Sequence, residues 1–411
     1  QDWLASALVP GSPRHPRRLK RRRLARLAHF PVPQPTLSEF YAFVADRERL
    51  RRERAACPGG RPWTNDRILH NFRFTNVKRS HDRTTQVVGR VLQSQVEHWE
   101  QCNTYEARKD CAAAHVLNIA LWRRFGSAAF VERIGFRPCP KSSEDFARWE
   151  DETIEVAHGL WREGFAACTD AYFPARCVHN SELRAWSEAS LARAGPRPQG
   201  RADRDALEAM RRALRPRPLQ GSEALVGEER VKAAYTKLCR QRWPLRRLWE
   251  ALPDIAEAMG LREGAGERSW RAVVQRLMAV DGFGGTGFSA KEVVLDLLLT
   301  PLMARCTDLD TWCPVGPGAC RGLNRLAGRP LQAVPATEQL LQELLRVFHV
   351  WKEHYPASLA EETPLGLHDV QFQLCEFDKY LRGKHGQGRL RRFVPFDDPD
   401  PPCSKGDEAH C

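Results

Sequence analysis

No stretch of this 411-residue chain approaches the about 18 to 20 unbroken apolar residues that a membrane-crossing helix requires. A helical spanning protein is therefore excluded. Alternating β-branched runs joined by two-residue turns are almost absent, which argues against a sheet-based architecture. The thirteen cysteines are odd in number and lack close pairs, and no signal peptide opens the chain. Reduced thiols in an intracellular protein are expected rather than a disulfide framework. Cys306, Cys313 and Cys320 recur every seven residues, whereas zinc ligands usually pair about two to four residues apart, so no metal site is expected. No four-cysteine cluster follows the glycine-rich stretch near residue 284, which argues against an iron–sulfur glycosylase. That stretch also lacks a closing Gly-Lys-Ser/Thr, so nucleoside triphosphate hydrolysis is unsupported. No cofactor is expected.

What is present is an ordinary folded composition, 42% hydrophobic and 28% charged, with a formal charge of +13 that favours polyanionic partners. The charge is concentrated. Residues 1–38 carry +7, from eight Lys/Arg against Asp2. Residues 67–90 carry +5 (Arg67, Arg73, Lys78, Arg79, Arg83 and Arg90 against Asp82). Residues 378–392 carry another +5 (Lys379, Arg382, Lys384, Arg389, Arg391 and Arg392 against Asp378), so everything else sums to −4. Residues 1–36, with six prolines and the run Arg17-Arg18-Leu19-Lys20-Arg21-Arg22-Arg23, read as a disordered basic arm. Such an arm suits a nuclear localisation signal, a nucleic-acid-binding arm or an organelle transit peptide, or is simply a solvated tail. The nucleus is the expected location, with an organelle the alternative.

From Leu37 the apolar spacing turns helical, and the fold class is mainly α. Helices are expected over about 65–100, 104–125, 144–165, 204–215, 228–260, 268–280, 288–304, 336–354 and 367–384. One helical domain over 37–394 is expected, with a Pro/Gly/Arg-rich loop at about 194–220 and a disordered tail over 395–411.

Four stretches carry chemistry. In the first, Pro62-Trp63-Thr64-Asn65-Asp66-Arg67, Thr64 is placed as a helix N-cap. If that helix continues, Asn76, Arg79 and Arg83 share a face beside Asp82 and could position a phosphate or a base edge. A salt-bridged structural face has the same spacing. In the second, Gly282, Gly284, Gly285 and Gly287 separate two helical runs, a helix-hairpin-helix pattern whose backbone N–H groups suit a phosphate. Lys291 follows, then Asp308 and Asp310, the order in which hairpin glycosylases place a nucleophilic lysine and a charge-stabilising carboxylate. A capping or solvated-turn aspartate fits Asp310 equally. In the third, Gly316-Pro317-Gly318 before Arg321 opens another helix suited to an anion. In the fourth, His368 to Arg382, Leu374, Phe377 and Leu381 form an apolar stripe, Glu376 is spaced to pair with Lys379 and Tyr380, and Lys379 and Arg382 enter a basic run suited to phosphates.

Taken in order, these four blocks resemble the helical domain of 5-hydroxymethyluracil DNA kinases. They also resemble the related alpha-glutamyl/putrescinyl thymine pyrophosphorylases of bacteriophage thymine hypermodification. The resemblance runs from about residue 37 to 394. It implies a glycosylase-related helical module that engages DNA carrying a modified thymine or uracil. The P-loop domain that would supply kinase activity in such systems has no counterpart in this sequence, so a separate base-modifying enzyme is an expected partner. The leading expectation is a DNA-binding protein that recognises a 5-hydroxymethyluracil-type base. Its pocket would use Trp63, Asn76, Arg79 and Arg83, and its backbone contacts Gly282, Gly284, Gly287, Gly316, Gly318, Arg321, Lys379 and Arg382. The alternatives are an enzyme acting on that base by hydrolysis or amine displacement, with Asp310, Asp82 and Lys291 as catalytic groups, and a non-catalytic all-α protein-interaction module.

Overall fold

The computed structural model describes residues 35–60, 62–163, 244–261, 268–303 and 306–387. Residues 1–34 of the basic arm, the 194–220 loop, the 395–411 tail, the helix expected over 204–215 and residues 228–243 of the helix expected over 228–260 lie outside the described residues.

Among the described residues there is no strand, and an isolated bridge joins Arg268 to Cys306. Helix α1 (Leu37–Ala56) starts at a capping box in which the Thr36 hydroxyl accepts from the Glu39 amide at 3.1 Å and Glu39 accepts from the Thr36 amide at 2.7 Å. The long helix expected over 65–100 is instead broken into α2 (Arg67–Asn71), α3 (Arg83–Gln93) and α4 (Val96–Glu100). The physical reason lies in the caps. Asp66, not Thr64, caps α2 by accepting from the Ile68 and Leu69 amides at 2.7 and 2.9 Å, while the Thr64 hydroxyl accepts from the Asp66 amide. Asp82 restarts the chain as the N-cap of α3, accepting from the Thr85 amide at 2.9 Å. Between these caps residues 72–78 form no helix, and Arg79–His81 make a single 3-10 turn leading into Asp82.

Helix α5 (Tyr105–Phe125) runs from the Thr104 cap to Gly126, which adopts φ 71° as a left-handed stop. It is followed by α6 (Ala128–Ile134), α7 (Ser143–Glu163) and a helical stretch over 244–258, here α8. Helices α9 (Trp270–Met278) and α10 (Phe288–Leu297) flank the glycine-rich turn, so the run expected to reach 304 stops at Leu297. Then come α11 (Pro317–Leu326), α12 (Thr337–His349), α13 (Trp351–His354), α14 (Ala357–Ala360) and α15 (Leu367–Lys384). The single helix expected over 336–354 is interrupted at Val350.

The buried side chains separate into two apolar clusters. One joins α3 and α5 through α10, with Trp122, Phe125, Phe130 and Trp270 at its centre. The other gathers α1, α2 and α11 through α15 around Phe40, Tyr41, Leu374 and Phe377. Phe40 and Phe377 meet edge-on at 5.3 Å, the favoured aromatic geometry. The expected stripe of Leu374, Phe377 and Leu381 is buried in this second cluster.

Helices α11 and α15 approach closely. A Cβ on Gly322 would stand 2.4 Å from the Leu374 carbonyl oxygen, and one on Gly318 would stand 2.7 Å from Cys375 Sγ. These two glycines, one helical turn apart, let the backbones touch. Gly322→Ala gains up to about 1 kcal/mol in helix propensity but forces two backbones apart, an overpacking cost of about 1–3 kcal/mol. The net outcome is a lower urea midpoint for Gly322→Ala. Gly59→Ala, with nothing within 4 Å of the added methyl, leaves the midpoint near wild type.

Candidate functional site

The 72–82 segment lies across α15 and α10, and its residues tie the two apolar clusters together through charge. Arg47 of α1 is buried and donates to Gln373 and to the Thr75 carbonyl. The Thr75 amide donates to Glu376 at 3.1 Å, and Gln373 donates back to the Val77 carbonyl at 3.0 Å. Burial lowers the Arg47 pKa to about 10 against the opposing pull of Glu376 and Glu48. Lys78 reaches the buried Asp369 carboxylate at 2.5 Å and the Pro364 carbonyl at 2.7 Å.

Arg79 then turns toward α10. Its guanidinium contacts Glu292 and donates to Asp296 at 3.0 Å and to the Glu292 carbonyl at 3.1 Å. Arg123, arriving from α5, donates to the same Asp296 at 2.8 Å and to the Thr85 hydroxyl at 2.7 Å. Asp82 lies 3.6 Å from Arg123 with about half of its side chain exposed, and is the solvent-facing end of the chain of charges. Lys291, almost fully buried, donates to Gln371 at 2.7 Å, sits 3.7 Å from Glu292 and stands 4.8 Å over the Phe372 ring. Burial alone would raise the Glu292 carboxyl, but Arg79, Lys291 and Arg123 outweigh it and hold the pKa at about 2. Asp369 is lowered in the same way: burial raises it, and His368 and Lys78 pull it below the usual carboxylate range.

Three of the residues singled out by sequence therefore converge. Arg79, Asp82 and Lys291 belong to one network through Glu292, Asp296 and Arg123. The others are placed differently. Trp63 is held against the end of α1, its indole N–H donating to the Cys57 carbonyl at 2.7 Å and its ring 5.3 Å under the Arg54 guanidinium. Asn76 closes its own loop by donating to the His81 carbonyl at 2.7 Å. Arg83 opens α3 and is half-buried. Asp310 accepts from the Leu367 amide at 3.1 Å at the start of α15, while Asp308 caps α9 through the Trp270 and Arg271 amides at 2.7 and 3.0 Å.

The glycines and basic residues expected at a DNA backbone are largely engaged inside the protein. A Cβ on Gly282 (φ 86°) would strike Pro244 at 2.6 Å, and one on Gly284 would meet the Met278 carbonyl at 2.8 Å. Gly287 (φ 79°) caps α10 and packs against Met278 and Pro314. Gly285 and Thr286 form the exposed tip of the turn. Gly316 caps α11, with Pro317 at its first position, and the Gly318 surface faces Cys375. Arg321, Arg325 and Arg382 all converge on the fully buried Asp378, at 2.8, 2.9 and 3.2 Å. Lys379 pairs with Glu376 at 2.6 Å as its spacing suggests and lies 4.6 Å over Phe74, but Tyr380 donates instead to Asp66, at 2.6 Å.

Sequence reasoning missed Arg123, Glu292, Asp296, Asp369, Gln371 and Gln373. One signal was available: Glu292 and Asp296 lie one turn apart on a helix that is otherwise apolar, Val293-Val294-Leu295 between them, and a buried face cannot carry carboxylates unpaired. Breaking such a buried pair by removing one partner costs about 3–5 kcal/mol. Asp296→Asn should therefore lose stability on that scale in urea denaturation. The Glu292 carboxylate stabilises the fold above its unfolded pKa of about 4.3, and that contribution is lost as pH falls toward about 2. Wild type should lose stability across this acid window more steeply than Glu292→Gln, measured by denaturation at each pH.

A sequence model of the family described as "5-hmdU DNA kinase, helical domain" matches residues 34–104 and 258–389. No curated protein and no solved structure matches the chain. The two matched segments contain every member of the charged network except Arg123. Through them, the chain belongs to the family of the 5-hmdU DNA kinase helical domain.

Proposed function

We propose that this chain binds duplex DNA and recognises a 5-hydroxymethyluracil-type pyrimidine. Membership of the 5-hmdU DNA kinase helical-domain family carries the reading, because the matched segments build the 72–82 segment, α10 and α15 around one charged junction. Recognition would take a flipped base beside the half-exposed Asp82, with Arg79 and Arg123 holding that carboxylate's surroundings in place. Phosphate contacts fall to basic residues on the outside of the fold. Arg67 and Lys384 are exposed, whereas Arg79, Arg321, Lys379 and Arg382 already have carboxylate partners. A base-modifying enzyme would act as a separate partner.

The test is equilibrium binding to duplexes containing thymine or 5-hydroxymethyluracil at several salt concentrations. Log affinity should fall with log salt by about 0.9 for each phosphate neutralised, and the modified duplex should bind more tightly. A flat salt response, or equal retention on heparin and DNA, would overturn the proposal and favour a protein-interaction module.

A second reading rests on the convergence of Asp82 and Lys291 in one network. On this reading the chain acts on the base, with Asp82 as acid or base. Incubation of the protein with the modified duplex, followed by mass spectrometry of the nucleosides, should then reveal base loss or an adduct. Asp82→Asn should abolish that product while leaving DNA affinity in place.

A further inference from the structure

The corner between α4 and α5 holds a cluster that the DNA reading does not use. His98 lies within α4, Cys102 just beyond it, and Cys111 and His115 in α5. His98 and Cys102 are four residues apart, as are Cys111 and His115, so the chain reads His-x3-Cys-x8-Cys-x3-His. Residues four apart on a helix share a face, and the turn at 101–104 folds the first pair onto the second. One ligand atom from each of His98, Cys102 and Cys111 lies within 4.8 Å of the other two. Both cysteines are free and buried, while His98 faces solvent.

We propose that His98, Cys102 and Cys111 form a zinc site at this corner. Two thiolates and an imidazole are a donor set that zinc takes readily, at about 2.3 Å for sulfur and about 2.0 Å for nitrogen. Those bond lengths place tetrahedral ligands a little under 4 Å apart, so side-chain rotation within the 4.8 Å cluster suffices to close it. The exposed side next to His98 leaves the fourth position to water.

His115 supports the ligands from behind. Its Nδ1 lies 2.8 Å from the Cys111 carbonyl oxygen and 3.5 Å from Cys111 Sγ. A carbonyl can only accept, so Nδ1 carries the proton and donates it to the Cys111 carbonyl, which fixes the imidazole beside the sulfur. Without a cation, burial and the adjacent Cys102 push the Cys111 thiol up to about 12. Zinc binding displaces one proton from each cysteine and relieves the repulsion between the two sulfurs. The site straddles the end of the family match at residue 104: His98 and Cys102 lie inside it and Cys111 and His115 outside. The metal would anchor the inserted stretch 105–257 to the family core.

The full chain, purified under reductant, is compared with Cys102→Ser/Cys111→Ser by zinc quantification and cobalt substitution. Because thirteen cysteines are present, the difference is what counts. Wild type should hold one more equivalent of zinc than the double variant. Its cobalt form should show tetrahedral d–d bands and thiolate charge transfer that the variant lacks. His98→Ala removes an exposed side chain and leaves the core intact, so it covers the case in which the double variant misfolds. It should weaken zinc affinity by about tenfold or more. Chelation should lower the melting temperature of wild type by more than that of His98→Ala. Equal zinc content and an unchanged cobalt spectrum in the variants would overturn the site. So would a Cys102–Cys111 disulfide in metal-free wild type.

Discussion

The fully buried Asp296 carboxylate holds this architecture together. It accepts from Arg123 on one side and Arg79 on the other, and those arginines arrive from α5 and from the 72–82 segment. Moving a carboxylate and two guanidiniums out of water is expensive, and mutual attraction offsets the cost only when the geometry is satisfied on all sides. Two apolar clusters packed face to face could slide; a junction made of Asp296, Glu292, Lys291 and Asp369 with their partners cannot. The position of the 72–82 segment, and with it Asp82, is fixed by charge rather than by secondary structure.

The same constraint reorganises the meaning of the basic residues. Positive charge that looks like a phosphate-binding stripe in sequence is largely consumed inside the fold. Arg321, Arg325 and Arg382 surround Asp378, and Lys379 pairs with Glu376. The glycines behave likewise. Gly318 and Gly322 allow α11 to lie against α15, and Gly282 makes room for Pro244. What remains for a polyanion is the exposed exterior, including Arg67, Lys384 and the Gly285–Thr286 tip. The zinc corner at His98, Cys102 and Cys111 stands apart from this interior and adds a local clamp where the inserted stretch leaves the family core.

How much was legible varied with the physics of each element. Helices α5, α7 and α15 were readable because a long apolar stripe leaves few alternatives; the Thr104 cap and the Gly126 stop bound α5 closely. The break at 72–78 was not. Its side chains keep a helical look, but Asp66 and Asp82 each make a better cap than an interior residue, and the non-helical backbone at Thr75 and Val77 finds partners in Glu376 and Gln373. Of the pocket residues, Arg79 reached the charged junction while Trp63 was drawn to the end of α1. Spacing along an assumed helix could not distinguish them. The His98-Cys102 and Cys111-His115 pairs were missed because eight residues separate the cysteines, and only helix register shows that the pairs face each other.

The sequence by itself determined that the chain is helical, where most of its described helices lie, and to which family its four ordered blocks belong. Those features rest on local periodicity, caps and motif order, which a linear reading contains. Only the tertiary structure decided which charges are available to solvent. A lysine or arginine is written identically whether it meets water or a buried carboxylate more than two hundred residues away, as Arg79 meets Asp296. That difference depends on long-range packing, and no spacing along the chain records it.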